Sequence, residues 1–153
     1  MSERLQYASC FVDDLYLGIP IDAVQEVTAG LELTPVPHAP APVSGLLNLR
    51  GQIVTAIDLR RCLQARARPS AELPVNVILR TDDGCVSLLV DHVGDVLDVA
   101  AESFEPPLAT MRGRTRELIA GFHRLETRLL LVLDLARVLA ASAGDDDGQE
   151  RRG

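Results

Sequence analysis

Apolar and polar residues alternate with a period of two along most of this chain, the pattern of strands whose successive side chains point to opposite faces. Leu5 to Val12 and Leu15 to Ile19 read as two strands around an Asp13-Asp14 turn. Pro20 opens a single helical turn over Ile21–Val24, and Gln25 to Thr28 returns to extended structure. Four prolines lie within Thr34–Pro42. Proline has no amide to donate, so this stretch is expected to be a stiff surface connection outside any central ladder. Val43 to Gly51 reads as a Leu-rich turn leading into a strand over Gln52–Ile57, mostly apolar on both faces and therefore expected to be buried on both. Asp58 then starts a short helix through Leu63, and residues 64–74 have the composition of a linker.

The second half repeats these elements. Strands are expected over Val75–Thr81 and Cys85–Val90, joined through Asp82-Asp83-Gly84, where glycine accepts the positive φ of a tight turn. Pro106-Pro107 interrupts the sheet, Met111–Glu117 reads as a loop rich in arginine, and Leu118–Leu125 with Arg128–Leu133 forms a last hairpin. A terminal helix is expected over Asp134–Ala141, followed by a disordered acidic tail over 142–153. An offset of 76 residues superimposes Asp58 on Asp134, Leu49 on Leu125, Leu59 on Leu135, Arg61 on Arg137 and Leu63 on Leu139. Each copy is an apolar strand ending in an Asp able to accept the free amides of a helix's first turn. A weaker echo pairs Val24-Gln-Glu-Val27 with Val93-Gly-Asp-Val96. Two similar halves of about five strands and a helical turn each follow, and small barrels are one way to remove the sheet edges. Only the first half carries Asn48, Arg50 and Gly51.

Composition narrows the picture. The chain of 153 residues has no Trp and 3% aromatic residues, so Val, Leu and Ile must fill the core. No apolar run approaches the roughly 18–20 residues of a membrane span, and the N-terminus lacks the pattern of a signal peptide. A soluble, cytoplasmic protein without direct membrane insertion is expected. The net charge of −7 disfavours nucleic acid as a partner. All 15 cations are arginines, which excludes a P-loop lysine or a side-chain Schiff base. Cys10, Cys62 and Cys85 are scattered and read as small buried hydrophobes, and His38, His92 and His123 lack ligand spacing, so no metal and no cofactor is expected. No nucleophile motif is present, and no catalytic residue is assigned.

Arg50 stands apart. Its guanidinium, followed by Gly51 and set between a Leu-rich turn and an apolar strand, offers a planar fork that matches a carboxylate, with Glu26 as the attractive partner. The alternative is a surface arginine with no fixed partner.

The ordered set Tyr16-Leu-Gly-Ile-Pro-Ile21, Val24-Gln-Glu-Val27, Asn48-Leu-Arg-Gly-Gln-Ile-Val54, Ile57-Asp-Leu-Arg60, Leu89-Val-Asp-His-Val-Gly-Asp-Val96 and Leu118-Ile-Ala-Gly121 resembles the CheW family, the coupling proteins of bacterial chemosensory arrays, over about residues 4–141. The resemblance implies a mainly all-β fold of two five-stranded SH3-like barrels that share an apolar interface, with short helices. One domain over 1–141 is expected, with subdomains at about 13–66 and 75–125 completed by the N-terminal strand and the C-terminal hairpin and helix. It also implies a scaffold without catalysis that joins the regulatory domain of a CheA-type histidine kinase to the cytoplasmic tip of a chemoreceptor. By motif, Val24, Glu26, Gly45, Asn48, Arg50, Gly51, Val90 and Asp91 correspond to positions around the receptor groove. Thr55-Ala56 departs from the Pro-Val of many members and leaves a backbone donor in mid-strand. A related module controlling a kinase outside chemotaxis is the alternative, and a small-molecule sensor using the groove is a third reading.

Overall fold

The computed structural model describes residues 3–65 and 73–143. Its eleven strands among the described residues are β1 (Arg4–Val12), β2 (Leu15–Pro20), β3 (Val24–Ala29), β4 (Val43–Leu49), β5 (Gln52–Asp58), β6 (Val75–Thr81), β7 (Gly84–Val90), β8 (His92–Ala100), β9 (Phe104–Glu105), β10 (Ile119–Arg124) and β11 (Leu129–Leu133). Three short α-helices accompany them, α1 (Leu59–Cys62), α2 (Gly113–Leu118) and α3 (Leu135–Ser142), with single 3-10 turns at Ile21–Ala23 and Ala101–Ser103. The strands form two sheets, one ordered β8-β1-β2-β11-β10-β9 and the other β3-β6-β7-β5-β4. The expected five-stranded pair is thus extended by β9, a two-residue edge strand.

The sheets do not follow the halves of the sequence. Hairpin β1–β2 joins β8 to β11, whereas β3, β4 and β5 of the same half pair with β6 and β7. Each half therefore lends its first hairpin to one sheet and its remaining strands to the other. The orders match term for term, with β3, β6, β7, β5 and β4 corresponding to β8, β1, β2, β11 and β10. Each sheet contains one parallel pair, β5 with β7 and β11 with β2. The two copies of the stronger repeat are these inner parallel strands with their helices. Asp58 accepts the Arg60 amide at 3.0 Å and Asp134 the Arg137 amide at 3.2 Å, the expected caps.

Burial explains the doubly apolar strands. Leu88 and Val90 of β7 enter a large core with Cys10, Val12, Leu17 and Ile19 of the opposite sheet and Phe122, Leu131 and Leu133. Leu89, between them, points into a second cluster with Leu47, Leu49, Val54, Ala56 and Ile78. On β11, Leu130 and Val132 turn from the shared core toward Tyr7. Inner strands thus have one face in their own sheet's interior and the other in the core shared by both sheets.

Four local expectations are corrected. Val43–Leu49 is strand β4 and not a turn, because Gly45, Leu47 and Leu49 alternate inward against the interior of their sheet. Ile53 is 64% exposed, so β5 is buried on both faces only toward its C-terminal end. The arginine-rich loop contains helix α2, where Arg114 reaches Glu117 one turn on at 2.7 Å and Leu118 is buried. Ser142 lies inside α3 rather than in a tail, with its hydroxyl donating to the Val138 carbonyl at 2.8 Å. The rest of the expected tail, 144–153, and most of the expected linker, 66–72, lie outside the described residues.

Candidate functional site

β4 and β5 meet in a two-residue turn, Arg50-Gly51, flanked by the pair Leu49–Gln52. Both turn residues have positive φ, 52° and 88°, as the type I′ turn favoured by right-twisted hairpins requires. Glycine tolerates that geometry freely, whereas a positive φ is uncommon for a residue that carries a side chain, such as Arg50. The Asn48 side chain supports the turn by accepting the Gly51 amide at 2.7 Å.

From this turn the Arg50 guanidinium grips Glu26 on β3 with both terminal nitrogens, Nη1 to Oε2 at 3.1 Å and Nη2 to Oε1. Glu26 is the more enclosed partner, at 28% side-chain exposure against 66% for Arg50. The hydrogen bonds from Arg50 hold the Glu26 carboxyl below its ordinary range, and Glu26 in turn raises the guanidinium. β3 and β4 are the two edges of their sheet, so this pair bridges edges that share no ladder. A second link lies nearby, where Thr34 exchanges backbone bonds with Leu46 at 2.7 and 2.8 Å. Gly45 permits it: at φ 154°, an added Cβ would stand 2.4 Å from the Thr34 carbonyl oxygen. Arg50, Glu26, Asn48, Gly51 and Gly45 thus belong to one closing seam.

Beside β3 runs an apolar groove of about 290 Å³ between the free edges of the two sheets. Ala8 and Cys10 of β1, Val24 and Val27 of β3, Val77 of β6, and Val93 and Val96 of β8 line it. Val27, Val93 and Val96 are exposed at 43%, 40% and 56%, a concentration of uncovered apolar surface of the kind that marks a docking site. The β8 rim is not among the positions that the sequence motifs indicate. The weak Val-x-x-Val echo is its signal in the sequence, since it falls on the two facing rims.

Val90 and Asp91 are placed elsewhere. Val90 is fully buried in the shared core. Asp91 is 8% exposed and holds the buried Arg60 through Nε to Oδ1 at 2.9 Å and Nη2 to Oδ2 at 2.8 Å. Its Oδ2 also accepts the Asp13 amide at 2.8 Å. This knot ties α1 to the β1–β2 turn and the β7–β8 junction. A charge placed directly after a doubly apolar strand is its only trace in the sequence. A second buried polar group is His123, with Nδ1 2.7 Å from Ser103 Oγ and Nε2 3.1 Å from the Tyr7 hydroxyl. Ser103 donates its own proton to the Ala100 carbonyl at 2.8 Å, so Nδ1 carries the ring proton and Nε2 accepts from Tyr7. Burial lowers the pKa of His123 and keeps it neutral. Among the described residues no group of His, Cys, Asp and Glu could hold a metal ion.

Comparison with known proteins gives concordant results. The family model for the CheW-like domain matches residues 6–143. The chain is 31% identical over 143 residues to the chemotaxis protein CheW of Treponema pallidum, covering 91% of this chain and 84% of that protein. It is also 31% identical to CheW of Rhizobium meliloti, with 83% and 82% covered. Protein FrzA of Myxococcus xanthus is 40% identical over a shorter 102 residues, covering 64% of this chain and 62% of that protein. Among solved structures, the scaffolding protein TtCheW of Thermoanaerobacter tengcongensis aligns with a TM-score of 0.76 at 23% identity, over 86% of this chain and 90% of that one. That last likeness concerns the fold.

Proposed function

This chain belongs to the CheW-like family and is a chemotaxis coupling adaptor, and we propose that it works without catalysis, joining the cytoplasmic tip of a chemoreceptor to the regulatory domain of a CheA-type histidine kinase. The observation that carries the proposal is the uncovered apolar groove, one wall of which, β3, is anchored on its other face by the two-pronged Arg50–Glu26 pair. An apolar trough between the free edges of the two sheets suits a helical receptor segment laid along it. Val24 stands on the groove wall, Glu26 lies on the opposite face of the same strand, and Asn48, Gly45 and Gly51 belong to the seam around Arg50. Val90 and Asp91 contribute to this surface only indirectly, by fixing the core and the β7–β8 junction beneath it.

The adaptor acts in the cytoplasm and is recruited to receptor arrays. No helix among the described residues is long and apolar enough to cross a membrane. A role confined to a kinase outside chemotaxis is not favoured, since relatives covering most of the chain carry the name chemotaxis protein CheW.

The test is Arg50→Asn, because asparagine accepts the left-handed turn conformation and lacks the guanidinium. The variant is expected to melt close to the wild type and bind the kinase domain, yet lose receptor-dependent control of kinase activity in reconstituted arrays. Normal control by a folded Arg50→Asn protein would overturn the assignment of this seam.

A further inference from the structure

Val24 and Val27, and likewise Val93 and Val96, stand three residues apart, a spacing that in a regular strand sends the two side chains to opposite faces. Both pairs nevertheless line the groove. The ladders show why. On β8, Val93 pairs with Cys10 and Val96 with Ala8, so Gly94 and Asp95 together face the single residue Ser9. On β3, Val24 pairs with Leu79 and Glu26 with Ile78, again with one residue too many. Each rim therefore carries a β-bulge between its two valines, and the extra residue returns the second valine to the face of the first.

The two bulges are held differently. On β3, Glu26 belongs to the bulged stretch and is fixed from the far face by Arg50. On β8 the corresponding hold is Ser9, 1% exposed, whose hydroxyl donates to the Asp95 carbonyl at 2.6 Å. Gly94 leaves room for it, since a Cβ there would stand 2.7 Å from Ser9 Oγ. Further along β8, Leu97 and Val99 pack beside Tyr7 in the interior of their own sheet and keep that end of the strand in register. Only the stretch from Val93 to Val96 depends on the bulge staying where it is.

Resting on the reading of the groove as the receptor-facing surface, we infer that Ser9 is a positioning residue for receptor binding: its hydroxyl pins the bulge on β8, and the pinned bulge keeps Val96 aimed into the groove. Without that bond the extra residue migrates toward Leu97, and Val96 turns away from Ala8.

The experiment is calorimetric titration of the full chain with a soluble chemoreceptor cytoplasmic fragment and, in parallel, with the kinase regulatory domain, joined to a methyl nuclear Overhauser measurement of the Ala8–Val96 contact. Ala8 and Val96 are direct cross-strand partners, so their methyl groups lie close enough to report the register. Ser9→Ala should weaken receptor binding about tenfold, roughly the share of one buried valine, weaken the Ala8–Val96 signal and leave kinase binding unchanged. Gly94→Ala, which displaces the hydroxyl without removing a buried atom, should do the same, and it decides the matter should Ser9→Ala fail to fold. The double variant should bind no more weakly than either single one, because both remove the same bond. Val96→Glu should abolish receptor binding whatever holds the bulge. If Ser9→Ala and Gly94→Ala bind receptor like wild type while Val96→Glu does not, the groove stands and the positioning role is refuted. Weaker receptor binding with the Ala8–Val96 signal intact, or an equal loss toward the kinase, would also overturn it. If Val96→Glu binds normally, the groove reading fails and takes this inference with it.

Discussion

Asp91→Ala should behave as a folding variant, although sequence places the residue among the groove positions. The Asp91 carboxylate holds Arg60 at 2.8 and 2.9 Å, and the two residues are 8% and 7% exposed. Removing it takes the bidentate carboxylate from a buried guanidinium, a change that costs about 3–5 kcal/mol, and also removes an acceptor of the Asp13 amide. The Asp13 carboxylate, 4.0 Å from Arg60, offers partial replacement and moves the expectation to the lower end, about 3 kcal/mol. At about 2–4 °C per kcal/mol for a chain of this size, Tm should fall by roughly 6–12 °C. Urea unfolding gives the free energy directly, and the double variant Arg60→Met, Asp91→Leu supplies the control. Replacing both partners with apolar groups should recover most of the loss, giving a coupling of at least about 1 kcal/mol in the double-mutant cycle. A melt within about 2 °C of wild type, or a double variant equal to the sum of the singles, would refute the buried knot. Loss of receptor binding by a fully stable Asp91→Ala protein would return the residue to the surface site.

Gly45→Ala should destabilise by roughly 2–4 kcal/mol in urea, since the methyl group meets the Thr34 carbonyl oxygen and must adopt an unfavourable φ. A wild-type midpoint would mean that the Thr34–Leu46 bridge does not close the sheet. Stability should also fall on acidification because of His123. Its folded pKa lies below the ordinary 6.5, so the unfolded chain takes up the proton first. The contribution is complete above about pH 6.5 and declines as the pH drops from there toward the folded pKa. Unfolding midpoints measured between about pH 7.5 and 5.5 should therefore converge with those of His123→Gln, and an equal gap at both ends of that range would exclude a neutral buried imidazole.

Several parts of the fold and site were legible in the residue pattern. Asp58 and Asp134 announced helix starts because a carboxylate after an apolar strand has free amides to receive. The Arg50–Glu26 pair was legible as one of two open readings, a planar fork matched to a carboxylate or a surface arginine with no fixed partner, and the structure shows the first. Other parts were hidden. Leu46-Leu47 and Gly45 disguised strand β4 as a turn, since glycine marks both a loop and a close approach of two backbones. Asp91 looked like a surface charge because its partner, Arg60, lies 31 residues away and is brought to it only by packing.

Sequence by itself determined where most of the strands extend, that Asp58 and Asp134 start helices, and that the chain repeats. Those properties are local: they depend on periodicity, capping and turn chemistry within a few residues. Tertiary structure alone decided that the two halves exchange hairpins and that the rims of β3 and β8 face each other across an open groove. The reason is physical. A strand apolar on both faces fits either sheet equally well by its own pattern, so its neighbours are selected only when the shared core, the connection lengths and the strand registers are satisfied together.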